Sequence, residues 1–429
     1  MTAATEIPGT DLGLPNPNLN EFWLRPMSQI EPDLARLRAE NPVTFLPEAR
    51  VPEGVPLPQG PGAWVVTRHA DILRVSKNPQ RFSSASGITL LDSPPEFNEF
   101  FSSMIAMDDP RHARLRRIVS AGFTPRMLKR LEDSVQTVAA EIVDTVCERG
   151  EVDFVVDVAA ALPLKIVCEL MGVPESQYRF VFDRTNVILG ATDPEYVPDQ
   201  TDILAAILTA GGDLATLMQE VAESKRGGDG TDLTSQLINA ELEDDRLTGA
   251  DLASFFILLV VAGNETTRNA IAWGLKLLTD HPGQRAIWAA DFERVAKTAV
   301  EEIVRVASPV TYMRRTALAD TELGGQHVKA GDKVAMFYLA ANRDEAVFDR
   351  PYDFDVRRDP NPHVGFGGPG PHFCLGAHLA RREITVMFRE LLRRLPDIRA
   401  ASEPHLLSSS FIHGVKHLQA EFTPASPVR

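Results

Sequence analysis

Phe366-Gly-Gly-Pro-Gly-Pro-His-Phe-Cys374-Leu-Gly376 sets one cysteine in a glycine-rich loop directly ahead of a helical pattern. That pattern is Leu379, Ile384, Met387, Phe388, Leu391, Leu392 and Leu395 at three- and four-residue steps, and Pro396 stops it. Free amides at the start of a helix, and the positive end of its dipole, donate to sulfur and lower a thiol's pKa. Cys374 is therefore placed to be a soft, anionic metal ligand. The glycines let the backbone come close to something flat and bulky. A lone cysteine is more often a small buried hydrophobe, so the rest of the chain has to decide between the two.

The chain has 429 residues, and its three cysteines, Cys147, Cys168 and Cys374, are odd in number and unpaired in spacing. This argues against a secreted disulfide framework and for a reduced, cytoplasmic setting. No charged start followed by an apolar run opens the sequence, and no long uncharged apolar stretch interrupts it, so a soluble protein with neither signal peptide nor membrane span is expected. A net charge of -15 argues against nucleic acid as the main partner. Against that background Arg111, Arg114, Arg116 and Arg117, followed by Arg126, Lys129 and Arg130, form a basic segment. It is either a solvated face or a patch that steers an acidic protein partner.

Residues 1–20, rich in Pro, Asn and Gly, read as an irregular arm, and no linker divides residues 21–429. Val43 to Leu46 and Trp64 to Thr67 alternate like a hairpin, with further strands expected at Lys333 to Phe337 and Leu418 to Phe422. Most of the remainder reads helical. The longest pattern runs from Leu247 to His281, with Thr248 and Asp251 spaced as a capping box and Pro282 at its end. Its centre, Phe255 to Ala262, is apolar nearly all round, and then Gly263-Asn264-Glu265-Thr266-Thr267-Arg268-Asn269 turns abruptly polar. A glycine and two β-branched threonines in mid-helix work against helix propensity, by about 1 kcal/mol for the glycine. Breaks of that kind mark function, and Thr266 is spaced to bond back to the Ala262 carbonyl. The plainer alternative pairs Glu265 with Arg268 one turn on as a structural ion pair.

Together the Cys374 loop, the Ala262-Gly-Asn-Glu-Thr-Thr267 insert and the Glu302-Ile-Val-Arg305 pair stand in an order that resembles the cytochrome P-450 haem-thiolate monooxygenases, over essentially the whole chain. The finer likeness is to actinobacterial, especially mycobacterial, members that hydroxylate methyl-branched lipids and sterol side chains. The general family pattern puts the phenylalanine seven residues before the cysteine; here Phe366 is eight before Cys374, an insertion the branched-lipid group shares. The resemblance implies a mainly α fold with small β-sheets in a single haem-binding monooxygenase domain, with the haem between the long distal helix and the proximal Cys loop and helix.

Residue roles follow from the same resemblance. Cys374 would ligate the iron, with Phe366 beside the sulfur and Ala262 on the distal side, while Gly370 and Gly376 would let loop and helix approach the haem. His112, Arg116, Arg315, His363 and His372 match the propionate-binding positions, and the absence of Cys-x-x-Cys-His makes the haem a non-covalent b-type. Glu302, Arg305 and Arg358 would form a buried structural triad. Thr266 would order a hydrogen bond and water on the distal side, and Glu265 would relay protons inward. Substrate-facing stretches correspond to Gly87 through Ala106, Asn186 to Leu189, Leu259 to Ala262, Val310 and Ser410 to Ile412. Within them Ile88, Leu90, Ile105, Val310 and Phe411 are the candidates for lining an apolar tunnel, each equally able to be core packing.

With no fused flavin or nicotinamide domain in the sequence, electrons are expected from a ferredoxin and its reductase. The basic segment and Arg381 with Arg382 are the expected docking face. The expected reaction is insertion of one atom of dioxygen into an unactivated C–H bond, terminal or near-terminal, of a methyl-branched lipid, isoprenoid or sterol side chain. A haem peroxygenase or a gas sensor is the alternative within haem proteins. Outside them stands a small-metal site at His372, Cys374 and His378, which lacks the further ligands a structural zinc needs.

Overall fold

The computed structural model describes residues 12–51, 57–122, 125–239 and 247–428. Its organising element begins where the sequence sets a cap. The Thr248 hydroxyl accepts the Asp251 amide at 3.0 Å while the Asp251 carboxylate accepts the Thr248 amide at 3.0 Å, and the long helix Gly249–Asp280 follows for 32 residues. It begins and ends a residue or two inside the expected limits. By length and composition it could cross a membrane, which the sequence reading did not anticipate, yet 56% of its apolar window is buried inside the protein. It is the central helix of the largest core cluster.

About 52% of the chain is helical, so the fold is mainly α. Against the long helix lie the helices Ala161–Met171, Ile203–Lys225, Phe292–Ala307 and Ala377–Arg394, the last being the helix that follows Cys374. A five-stranded sheet flanks this bundle: β1 (Val43–Leu46), β2 (Ala63–Val66), β3 (Phe82–Ser83), β4 (Tyr312–Ala317) and β5 (Lys333–Phe337), in the order β1-β2-β5-β4-β3. β1 and β2 pair antiparallel from Val43 opposite Val66 to Leu46 opposite Ala63, and β5 joins β2 in parallel. The expected C-terminal strand is Gln419–Glu421, which pairs with Glu151–Asp153.

The arm expected over residues 1–20 is irregular in its described part, and it is tied down. Asn16 and Asn18 donate to the Pro47 and Leu46 carbonyls at 2.7 and 3.1 Å, and the Trp23 indole donates to the Pro17 carbonyl at 2.8 Å. Residues 1–11 lie outside the described residues.

Glu302 and Arg305 share one face of the helix Phe292–Ala307, meet at 2.8 Å and are fully buried. Arg358 reaches the same carboxylate at 3.0 Å, and Arg305 also donates to the carbonyls of Asn342, Pro351 and Asp353. One carboxylate thus ties two guanidiniums, and through Arg305 it anchors the backbone at Asn342 and at Pro351 to Asp353.

Candidate active site

The Cys374 loop closes on itself, the Cys374 amide donating to the Phe366 carbonyl at 3.0 Å. Its glycines have different reasons. At Gly370 φ is +155°, and a Cβ there would collide with the Ser76 carbonyl, so the close approach that requires this glycine is to the helix His69–Ser76. The expectation that Gly370 also lets the loop approach a cofactor is a separate matter from this contact. A Cβ at Gly376 would meet nothing within 4 Å, so open space adjoins the backbone there. Cys374 has exposed surface although it sits deep in the fold. Burial holds its thiol above the ordinary value, and the amides of Gly376 and Ala377 and the charges of Arg116 and Arg381 offset only part of that rise. Those amides open the helix Ala377–Arg394, the arrangement that stabilises a thiolate.

Beside the loop a cluster of cation-forming side chains converges from three elements. His112, on the helix Arg111–Gly122, and His372, two residues before Cys374, have ring centroids 4.2 Å apart. Arg315 of β4 is buried there, and Arg116 donates to the Phe373 carbonyl at 2.7 Å. Burial, then Arg315, His112 and Arg116, press the His372 pKa down to about 3. His112 Nε2 and His372 Nδ1 are buried with no partner, although His112 Nδ1 lies 3.3 Å from Asp109. Orphaned buried nitrogens next to a buried guanidinium call for an anionic group, since burial without a partner is costly.

His363 does not join this cluster, correcting the expectation that it would. Its Nε2 lies 2.9 Å from Glu301, which also pairs with Arg381. Burial raises the Glu301 carboxyl, but His363 and Arg381 outweigh it and hold the group down at about 2. Arg381 further lies 4.3 Å over the Phe366 ring. It is thereby committed to bracing the loop, which weakens its case as a docking residue.

On the long helix, Ala262 is exposed between the half-buried Val261 and Gly263, with Val260 and Asn264 buried beyond them. The Thr266 hydroxyl donates to the Ala262 carbonyl at 2.7 Å, as the spacing suggested. Glu265 is buried and paired with Arg268, the alternative weighed from the sequence, and also accepts from Asn269 at 3.2 Å; its Oε2 has no partner. Arg268 in turn donates to Asn186 at 3.0 Å, a link across 82 residues that no local pattern announces. Two further buried polar groups escaped the sequence reading. Asn264 has both amide atoms unpartnered, and Glu383, on the helix after Cys374, accepts from the Thr267 hydroxyl while burial pushes its carboxyl up to about 8.

The five candidate tunnel residues fall into different surroundings. Leu90 belongs to the core with Tyr312 and Phe337, and Phe411 packs on it with its ring 5.4 Å from Tyr312. Ile105 packs on the main core and Val310 on a third cluster, bridged to Ile412, while Ile88 is buried with its carbonyl accepting the Arg314 amide. Each is therefore at least partly core. Among the described residues no three His, Cys, Asp or Glu side chains group as metal ligands, and His378 is exposed, which leaves the zinc reading without a site.

A mainly α fold with a loop cysteine ahead of helix amides, beside open space at Gly376, is the arrangement that the sequence resemblance implies. Comparison with known proteins agrees: the family model described as cytochrome P-450 matches residues 294–396. The methyl-branched lipid omega-hydroxylase of Mycobacterium tuberculosis is 46% identical over 420 residues, 97% of this chain and 96% of that protein. The steroid C26-monooxygenase of Mycolicibacterium smegmatis is 37% identical over 92% of this chain and 90% of that protein. A solved cytochrome P-450 of Mycobacterium marinum, in complex with pseudoionone, superposes with a TM-score of 0.89 at 43% identity, covering 98% of this chain and 100% of that one. The chain belongs to the cytochrome P-450 family. It is a monooxygenase whose cofactor is a thiolate-ligated haem.

Proposed function

We propose that the chain hydroxylates the terminal or near-terminal carbon of a methyl-branched lipid, isoprenoid or sterol side chain, with Cys374 as the haem's thiolate ligand and residues 21–429 as one haem-binding unit. The observation that carries the haem placement is the pair of partnerless buried nitrogens, His112 Nε2 and His372 Nδ1, beside buried Arg315. These groups suit the two propionates of a haem, with Arg116 at the rim, and the open space at Gly376 suits its flat face. When bound, the haem supplies reductive activation of dioxygen and insertion of one oxygen atom into a C–H bond. The Gly376 and Ala377 amides favour the anionic form of the Cys374 sulfur against its burial, and the iron would complete that stabilisation.

Thr266 holds its hydroxyl at the groove opened beside Ala262, where it orders a hydrogen bond and water. Glu265 passes protons toward Thr266, which requires its carboxylate to leave Arg268 for part of the cycle.

The substrate class rests on the likeness to the branched-lipid and steroid hydroxylases, together with the apolar character of Ile88, Leu90, Ile105, Val310 and Phe411. Pseudoionone in the M. marinum relative is an isoprenoid, in keeping with this class. Electrons would come from a ferredoxin and its reductase at the basic face around Arg114 and Arg117. The test is a carbon monoxide difference spectrum of the haem-loaded protein and of Cys374→Ser, then a screen of branched lipids, isoprenoids and sterols by spin-state change with product identification. A thiolate spectrum retained by Cys374→Ser, or products oxidised only in mid-chain, would overturn the reading.

A further inference from the structure

Glu301 stands one residue before the buried Glu302 on the helix Phe292–Ala307, yet its partners belong to the Cys374 loop and the helix that follows it. Arg381 lays its Nε and Nη2 across the carboxylate, one on each oxygen, the second at 3.0 Å. His363 Nε2 lies 2.9 Å from Oε2. The Gly365 amide donates to His363 Nδ1 at 3.1 Å, and an amide can only donate, so the ring hydrogen sits on Nε2 and points at Glu301. Burial works against the carboxylate, but His363 and Arg381 outweigh it and keep the group ionised.

Both partners of Glu301 meet the same aromatic ring. The Arg381 guanidinium lies 4.3 Å over Phe366, and the His363 ring centroid is 5.8 Å from that of Phe366. Phe366 in turn carries the carbonyl that accepts the Cys374 amide at 3.0 Å. The His363 side chain is 3% exposed and that of Glu301 20%, so the contact is held inside the fold. One carboxylate therefore fixes, through two side chains, the ring beside the cysteine and one of the positive charges that favour the cysteine's anionic form.

We propose that Glu301 is a positioning residue for the thiolate, whose negative charge offsets that of Arg381 and so sets the reduction potential of the iron that Cys374 ligates. The proposal rests on the reading of Cys374 as the haem's ligand. A positive charge near an iron favours its reduced form and a negative charge its oxidised form, and groups that hold a ligand in place tune the metal in this way. Arg381 eases an electron onto the iron, but the same charge draws on the sulfur and weakens its donation. Glu301 limits both effects. With the pair intact the two charges largely cancel at the iron; with either member removed, the other acts uncompensated. Arg381 is 36% exposed, so water screens its charge and the effect is modest. The arrangement also gives Arg381 a task that needs no electron-donor protein.

The experiment titrates the midpoint potential of the haem-loaded, lipid-free protein with dithionite and mediator dyes, with no ferredoxin present, and records the carbon monoxide difference spectrum of each variant. Arg381→Gln leaves the Glu301 charge uncompensated and should lower the equilibrium constant for one-electron reduction by about two- to fivefold, fivefold being about 41 mV on a scale of about 59 mV per decade. Glu301→Gln leaves Arg381 uncompensated and should raise it by a similar factor. The double variant, with neither charge, should return toward wild type. Glu301→Asp and Arg381→Lys, which keep the charges, should stay closer to wild type than the Gln variants. A brace without an electrostatic role would move both Gln variants in the same direction, so parallel shifts, or no shifts, would overturn the proposal. Where Glu301→Gln fails to hold haem, Arg381→Lys decides the matter, and a potential equal to that of Arg381→Gln would overturn it. A wild-type spectrum without the thiolate band would overturn the reading of Cys374 and the proposal together, whereas a thiolate band with parallel shifts overturns the proposal alone.

Discussion

Thr266 donates its hydroxyl to the carbonyl of Ala262, 2.7 Å away, and Ala262 is exposed on the long helix with Val260 and Asn264 buried on either side. A carbonyl that accepts a side-chain hydroxyl is pulled off the helix ladder, and the groove this opens can hold a water. One threonine thus shapes the backbone and presents an oxygen at the same place.

Replacing Thr266 by Ala should leave haem and substrate binding intact while electrons are lost as hydrogen peroxide. Product formation should fall by on the order of a hundredfold, the scale of positioned proton transfer. Thr266→Ser, which keeps the hydroxyl, should recover most of it. Product formed per NADH is the measurement, and undiminished coupling in Thr266→Ala would count against the role.

Glu383 gives a pH signature of the fold itself. Burial pushes its carboxyl up to about 8 from an ordinary value of 4.5, so the folded chain holds a proton that the unfolded chain releases between those limits. Folding is then favoured at the acid end, and this contribution falls by about 1.4 kcal/mol per pH unit as pH rises through the window. Glu383→Gln, neutral at every pH, should flatten that slope and be relatively more stable at about pH 8 than at about pH 5. Urea unfolding of both proteins at the two pH values measures it, and parallel slopes would refute it.

The triad predicts a stability loss without a change in chemistry. Glu302→Ala strands Arg305, wholly buried, without its carboxylate, and should cost about 3 to 5 kcal/mol. Arg358→Ala removes a guanidinium that is 8% exposed and should cost less. Denaturant unfolding reads the loss, and the spectrum of whatever haem-loaded protein remains should be that of wild type.

Much of this was legible in the sequence because it is local. Thr248 with Asp251, Thr266 with Ala262, and Glu302 with Arg305 are separated by three or four residues, and helix geometry alone brings such pairs together. The same holds for Cys374 ahead of the amides of its own helix. What the sequence hid are the contacts set by tertiary approach. His363 looks as available as His372 until Glu301 is found against it, and nothing near Gly370 in the sequence announces that Ser76 packs on its backbone. Glu265 shows the limit from the other side: its pairing with Arg268 was visible at three residues, but Asn186, which holds that arginine, lies 82 residues away. The tunnel residues were the least legible, because an apolar side chain reads the same on a cavity wall and in a core.

The electron donor is open to the same kind of test. The docking reading is built on Arg114 and Arg117 of the basic helix; beside them Arg111 pairs with Glu99 at 2.6 Å, and Arg381 is held by Glu301. Arg117 lies on the exposed face of its helix, in a chain whose net charge is -15. A local positive patch on an acidic protein attracts an acidic ferredoxin over about one Debye length, near 10 Å at 0.1 M salt and shorter as salt rises. Arg117→Glu should therefore slow reduction by a ferredoxin several-fold at low salt, and the gap to wild type should close as salt is raised. Reduction by dithionite, which needs no docking, should be the same in both proteins. Reduction rates whose ratio between Arg117→Glu and wild type does not change with salt would remove this face as the docking site.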